Sequence, residues 1–152
     1  MTQRLRLFLG FALFSCITQA SPLPHPKNII LMIVDGMGPS YTSAYRYYQD
    51  NQTTFDIENT IFDQTFTGTA QTRPHPQSGY ITDSAAAASA LATGHKVISQ
   101  ALSMNEKNQP IKSLFEYAKE KNKLTGVVVT SPIYHATPAA FLTHHPLNMF
   151  AT

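Results

Sequence analysis

The sequence predicts an α/β fold in which a mostly parallel sheet is covered by helices on both faces. Residues 28–34 form an unbroken apolar run that ends in a glycine-containing turn, as expected of a central parallel strand. Residues 84–93 are mostly alanine and precede Gly94, which predicts a helix and its C-terminal end. Residues 124–130 form a second, β-branched strand pattern. Strands that alternate with helices in this way are typical of a parallel sheet between two helical layers.

The remaining segments complete this pattern. The sequence predicts helices over residues 39–48 and 111–121, a helix that begins at Pro138, and a loop over residues 51–79 that contains a short strand at 65–69.

The first twenty residues resemble a secretory signal peptide rather than part of the fold. Two early arginines precede the apolar run 7–17, and the small residue Ala20 offers a cleavage site. The run is too short for a stable membrane anchor. A lipoprotein signal ending at Cys16 is the alternative, which the bulky Phe14 disfavours. We therefore expect residues 21–152 to form the mature domain, in the periplasm or secreted.

Composition excludes several classes of function. Without its first twenty residues the chain has nine basic and nine acidic residues, so a nucleic-acid partner is not expected. Cys16 is the only cysteine in the sequence, which excludes an internal disulfide framework and a cysteine-rich zinc site.

Four polar residues follow predicted strands or begin predicted helices: Asp35, Ser84, His135 and Thr137. Because functional groups gather beyond the carboxyl ends of parallel strands, we expect these four side chains to converge on one edge of the sheet.

Each of these residues also has a structural interpretation. Ser84 at a helix start could receive an anion such as phosphate, or it could cap an alanine-rich helix. The Asp35 carboxylate could bind a hard cation, or it could close an Asx-turn. Thr137 alone is typical of a helix N-cap, and His135 alone is typical of a surface or packing histidine. The adjacent pair His144 and His145 would face different sides of a helix, which does not predict a paired metal site.

Three motifs together resemble the alkaline phosphatase family. They are Asp-Gly-Met-Gly at residues 35–38, Thr-Asp-Ser-Ala-Ala-Ala-Ala-Ser-Ala-Leu-Ala-Thr-Gly at 82–94, and His-Ala-Thr-Pro-Ala-Ala at 135–140. They occur in the order of the family and at roughly its spacing, and the resemblance covers residues 28–145.

The resemblance implies a three-layer α/β/α sandwich with two Zn²⁺ ions and one Mg²⁺ ion at the sheet edge. It identifies Ser84 as the nucleophile that becomes phosphoserine and as a ligand of one zinc. It places Asp35 between a zinc and the magnesium, Thr137 on the magnesium, and His135 beside it. Asp83 precedes the nucleophile and helps to orient the phosphate clamp. The implied reaction is hydrolysis of a phosphate monoester by double displacement through phosphoserine. The resemblance also allows the full-length enzyme to be a homodimer.

Two departures from the family pattern qualify this expectation. An ungapped match places Asn148 where the family has a phosphate-clamping arginine, and asparagine lacks the charged fork of a guanidinium. Most zinc ligands of the family come from its later two-thirds and have no counterpart among the 152 residues. We therefore expect a truncated N-terminal part of the domain that is inactive alone.

The alternative to an enzyme is an inactive remnant or a piece that complements another chain. Within the enzymes, the alternative is a sulfatase or a phosphodiesterase, and a sulfatase is disfavoured because alanines follow Ser84 where sulfatases place a Pro-x-Arg pattern.

Overall fold

The structure is a computed structural model that describes residues 26–146 of the 152-residue chain. It divides into two compact units, Met1–Ile33 and Val34–Thr152. In the first unit, residues 26–33 form neither helix nor strand. The side chain of Ile30 in that segment is 90% exposed.

Three features predicted from the sequence lie outside the described residues. They are the signal peptide at residues 1–20, its alternative lipid attachment at Cys16, and Asn148 at the position of the phosphate clamp. These three remain predictions. Within residues 26–146, no helix combines the length and the apolar character that crossing a membrane requires.

The regular elements in the described part of the second unit are helices, joined by loops and turns. Its elements in chain order are α1 (Pro39–Gln49), α2 (Ile61–Thr65), a short 3₁₀ turn (Pro76–Ser78), α3 (Ser84–Thr93), α4 (Leu114–Glu120) and α5 (Ala136–Leu142).

The helix predictions are confirmed, with shifted ends for three of them, of which α1 extends one residue further than predicted. Helix α2 lies within residues 51–79, which were predicted as a loop. Helix α3 has the predicted bounds, and Gly94 adopts a left-handed conformation at its C-terminus, with φ of 76°. Helix α4 begins later than predicted, because the side chain of Ser113 caps it by accepting a hydrogen bond from the N–H of Glu116. Helix α5 begins two residues before Pro138, since proline is tolerated throughout the first turn.

The strand predictions are not confirmed. Residues 28–34, 65–69 and 124–130 form no strand in the described part of the chain, which has only two isolated antiparallel bridges. A β-branched pattern indicates a surface that suits a pleated sheet, but a strand also needs neighbours that complete its hydrogen bonds. In the third segment the side chains of Leu124 and Val128 are fully exposed, so no described residue covers them. The parallel sheet therefore remains a prediction.

Helices α1 and α2 are joined by one ion pair and one aromatic contact. The guanidinium of Arg46 donates to the carboxylate of Asp63, with 3.0 Å between Nε and Oδ2. The same carboxylate accepts from the backbone and hydroxyl of Thr60 and caps α2. Together these donors hold the pKa of Asp63 well below its usual range. The rings of Tyr45 and Phe62 meet edge to face, with 6.0 Å between their centroids.

The buried core lies between α3 and α5. Its members are small apart from one leucine: Ala85, Ala88, Leu102, Ala139 and Ala140, with Ala136 packed against them. Because alanine has only a methyl side chain, the two helix backbones can approach each other closely. This close approach brings the first turns of α3 and α5 near each other.

We predict that Ala140→Leu separates α3 from α5 and lowers the free energy of unfolding by about 1–3 kcal/mol, because Ala140 is fully buried and has no room for three more carbons. Urea denaturation measures this loss. The control is Ala44→Leu on α1, where the side chain is exposed. Equal stability of the two variants would contradict the account of the core.

We also predict that α4 loosens in acid. The Glu116 carboxylate accepts from the Ser113 backbone at 2.6 Å and lies beside His144, and these contacts hold the pKa of Glu116 below its ordinary value of 4.5. A carboxyl group with a lowered pKa stabilises the fold above its ordinary pKa, and this contribution is lost as the pH falls through the lowered value. The melting-temperature difference between the parent and Glu116→Gln should therefore be largest near neutral pH and shrink below pH 4.5. A difference that is independent of pH would contradict this prediction.

Candidate functional site

Asp35 lies in a tight turn whose shape leaves its carboxylate free for other partners. The N–H of Met37 donates to the carbonyl of Val34 at 3.2 Å and closes the turn. Gly36 has a φ of +74°, which glycine adopts without strain. The backbone closes this turn by itself, so the Asp35 carboxylate has no need to act as an Asx-turn acceptor.

Two hydroxyl groups from distant parts of the chain donate to that carboxylate. Ser84 Oγ lies 2.9 Å from Asp35 Oδ2 and 3.2 Å from Oδ1. Thr137 Oγ1 lies 2.8 Å from Asp35 Oδ2. We call Asp35, Ser84 and Thr137 the oxygen triad. These three side chains lie together, as predicted, although 102 positions separate Asp35 from Thr137, and the sheet edge on which they were expected to meet remains a prediction.

The hydroxyl of Ser84 is free to bind Asp35 because another residue caps the helix. Ser84 is the first residue of α3, and the N-cap is Asp83, whose Oδ1 accepts from the N–H of Ala86 at 2.9 Å. The second oxygen of Asp83 accepts from the N–H of Gln100 at 2.6 Å. Asp83 therefore ties the start of α3 to a loop in which Gln100 has a positive φ of 70°. Sequence reasoning did not find this contact, because the partner is a backbone N–H seventeen residues away.

Thr137 occupies a place that differs from its local interpretation as an N-cap, whereas His135 is the surface histidine that its local interpretation expects. The N-cap of α5 is His135, and Thr137 lies inside the first turn with its hydroxyl on Asp35. The exposed ring of His135 lies against the ring of Tyr134, with 5.9 Å between the centroids. No hydrogen bond joins His135 to the described oxygen triad, so its predicted place beside a metal remains a prediction.

The electrostatics at the triad come largely from the helix ends. Ser84 and Thr137 lie in the first turns of α3 and α5, where unpaired N–H groups give each helix a partial positive charge. A carboxylate is favoured at such a place. Asp35 is exposed and the two hydroxyl residues are partly buried, so the triad opens to solvent on the side of the carboxylate.

The oxygen triad suits a hard cation but does not complete a zinc site. Carboxylate and hydroxyl oxygens are ligands that Mg²⁺ accepts, with water or phosphate in the remaining positions. Zinc usually takes three or four ligands from nitrogen, sulfur and carboxylate oxygen. Residues 26–146 contain no group of three His, Cys, Asp or Glu side chains that could hold a metal. A complete zinc site therefore needs ligands beyond the described residues.

Comparison with known proteins shows the family of this chain. The sequence model of the family described as alkaline phosphatase matches residues 26–148. Alkaline phosphatase 3 of Bacillus subtilis strain 168 is 49% identical over 118 residues, which are 78% of this chain and 26% of that protein. The cold-active alkaline phosphatase from a psychrophilic Shewanella species has a TM-score of 0.73 at 51% identity, over 76% of this chain and 29% of its own.

A further solved structure is that of a mutant alkaline phosphatase from the Antarctic bacterium TAB5, in which a histidine is replaced by glutamate and Mg is bound in the M3 site. It has a TM-score of 0.62 at 32% identity and covers 75% of this chain and 31% of its own.

These matches define the class of protein as one with the alkaline phosphatase fold. The chain belongs to the alkaline phosphatase family. It spans about a quarter of the length of the curated relatives that it matches.

We predict that Asp83→Ala loosens the start of α3 and lowers the free energy of unfolding by about 1–2 kcal/mol, because the helix loses its cap. Asp83→Asn should cost less, since an amide oxygen can still accept from Ala86. The side-chain NH₂ group of this variant, however, cannot accept the hydrogen bond from the N–H of Gln100. Thermal unfolding of both variants measures the order. A stability loss for Asp83→Asn as large as that for Asp83→Ala would contradict the capping role.

Proposed function

We propose that this chain supplies the nucleophile and part of the metal site of an exported, metal-dependent phosphate monoester hydrolase. The observation that carries the proposal is the hydrogen bond from Ser84 Oγ to the Asp35 carboxylate, which Thr137 shares from a second helix. Membership of the alkaline phosphatase family supports the reaction class.

The start of α3 is suited to hold the phosphate group of the substrate. The N–H of Ala86 donates to Asp83 Oδ1, and the N–H of Ala87 donates to the Asp83 carbonyl. Within the described part of the chain, the N–H groups of Ser84 and Ala85 have no such partner. They are therefore available to phosphate oxygens, in a place where the helix dipole favours an anion.

The hydrogen bond to Asp35 orients the nucleophile. Ser84 Oγ donates its proton toward Asp35 Oδ2, which leaves its lone pairs available to attack the phosphorus of a substrate. In the proposed reaction the Oγ–P bond forms, the ester oxygen leaves with its electron pair, and water later cleaves the phosphoserine to release phosphate. Asp35 Oδ2 is the acceptor at 2.9 Å for the hydroxyl proton.

Zn²⁺ and Mg²⁺ are the cofactors that we propose, with Asp35, Ser84 and Thr137 as ligands from this chain and His135 beside them. Bound metal would stabilise negative charge on the serine and phosphate oxygens. Support for magnesium comes from the oxygen chemistry of the triad, and one solved relative holds Mg in a site of its own. The role of Thr137 is to fix Asp35 from the opposite helix, which holds the carboxylate in place before any cation binds.

A complementing role is the second candidate function. The predicted strand at residues 124–130 exposes Leu124 and Val128 fully, and no described group of side chains completes a metal site. Both observations favour a chain that works with further phosphatase polypeptide, which lies either in the same molecule or in a second one.

We predict that Ser84→Ala abolishes phosphoserine formation. The matched segment of Bacillus subtilis alkaline phosphatase 3 is replaced by residues 26–148 of this chain, and the hybrid is given Zn²⁺, Mg²⁺ and labelled phosphate. Ser84→Ala should lower kcat/KM for a phosphate monoester by at least about a thousandfold, because the attacking oxygen is gone. Ser43→Ala is the control, since the Ser43 hydroxyl bonds only within α1. A Ser84→Ala hybrid that retained turnover would overturn the proposal.

The same relative, with its matched segment deleted, separates the two candidates. Activity that returns on mixing it with the 152-residue chain shows complementation in trans. Activity that appears in the hybrid, where both segments are joined in one chain, but not in the mixture favours a single-chain enzyme.

A further inference from the structure

Three serine side chains are buried between the helices that carry the oxygen triad. Ser89 on α3, Ser103 in the loop after it and Ser113 before α4 are 0%, 0% and 2% exposed. We call these three residues the serine bracket. Buried hydroxyl groups need hydrogen-bond partners, and the hydroxyls of Ser103 and Ser113 both donate to carbonyls of α5.

Ser103 binds both helices at once. Its backbone N–H donates to Ser89 Oγ on α3 at 2.8 Å. Its own Oγ donates to the carbonyl of Ala140 on α5 at 2.6 Å. The hydroxyl of Ser89 in turn donates to the carbonyl of Ala101 at 3.3 Å. These hydrogen bonds attach the loop that holds Ser103 to both α3 and α5.

The serine bracket also completes the end of α5. The last carbonyls of a helix lack partners within it. Here the Ala139 carbonyl accepts from the N–H of Thr143, that of Ala140 accepts from Ser103 Oγ, and that of Phe141 accepts from Ser113 Oγ at 3.3 Å. The position of α5 along its axis is therefore fixed by side chains outside it.

The backbone of Ser103 is held in a conformation that it would not adopt alone. Its φ is +50°, in the left-handed region that non-glycine residues seldom occupy. Its carbonyl accepts from the N–H of Ile111 at 2.8 Å and lies 3.0 Å from Nδ1 of His144. Every polar group of Ser103 is thus engaged, and these contacts maintain the strained conformation.

We propose that Ser103 is a positioning residue that sets the separation of Ser84 from Thr137 and so keeps both hydroxyls on Asp35. Thr137 lies one turn before Ala140, and a short helix moves as a rigid body. A shift at the Ala140 carbonyl therefore displaces the Thr137 hydroxyl from its 2.8 Å contact with Asp35. The consequence for catalysis rests on the proposed function, whereas the geometric statement does not.

The test compares Ser103→Ala and Ser103→Gly in the full 152-residue chain. Both variants lack the hydroxyl, but glycine accepts the positive φ without strain, so the two should differ in melting temperature. If Ser103→Ala does not fold, Ser103→Gly carries the test. Ser43→Ala is the matched control, because it removes a serine hydroxyl on α1 that touches neither α3 nor α5.

Two readouts are taken on the folded variants. Crystal structures should show Thr137 Oγ1 and Asp35 Oδ2 more than about 3.5 Å apart in both Ser103 variants, which is beyond a hydrogen bond. Mg²⁺ titration followed by the amide NMR signals of residues 35, 84 and 137 should show binding weakened by roughly tenfold or more, as expected when support behind a ligand is removed. The control should match the parent in both measurements.

The outcomes separate this inference from the proposed function. An unchanged distance in folded Ser103 variants overturns the positioning role, whatever their melting temperatures. A lengthened distance in a chain that binds no Mg²⁺ at the triad supports the positioning role and counts against the metal site. A lengthened distance with weaker Mg²⁺ binding supports both.

Discussion

The structure depends on one constraint, namely that a single carboxylate must meet hydroxyls from two different helices. Asp35 accepts from Ser84 at the start of α3 and from Thr137 at the start of α5. Both helices must therefore begin at the same place, and the packing between them has to allow it. The alanines at the α3–α5 contact satisfy this requirement, because larger side chains would move the helix starts apart.

Around this constraint, each neighbouring polar group has a task that leaves the triad free. Asp83 caps α3, so Ser84 does not have to. Thr137 lies two residues past the N-cap position of α5, and its hydroxyl reaches Asp35. The turn at Gly36 closes through backbone atoms, so the Asp35 carboxylate remains available. A reactive serine needs such freedom, since a hydroxyl committed to capping a helix cannot also attack phosphorus.

Local signals in the sequence predicted the parts of the fold that local forces decide. Helix α3 was predicted with its bounds, because alanine favours helix and Gly94 ends it. The strands at residues 28–34 and 124–130 were not found, because a strand depends on hydrogen bonds from neighbours that the pattern of one segment cannot supply. The triad was predicted because its members belong to three recognisable motifs. The contacts of Asp83 with Gln100 and of Ser103 with Ala140 were missed, since they join a side chain to backbone atoms far away in sequence.

The central claim is that the oxygen triad is a cation site at a phosphate-accepting serine. Anomalous diffraction from crystals of the chain grown with Mn²⁺, a stand-in for Mg²⁺, and inorganic phosphate tests this claim most directly. The account predicts a metal peak about 2.0–2.3 Å from an Asp35 carboxylate oxygen and from Thr137 Oγ1, with the phosphate facing Ser84 Oγ. A metal bound only elsewhere, with the Ser84–Asp35 and Thr137–Asp35 hydrogen bonds unchanged, would contradict it.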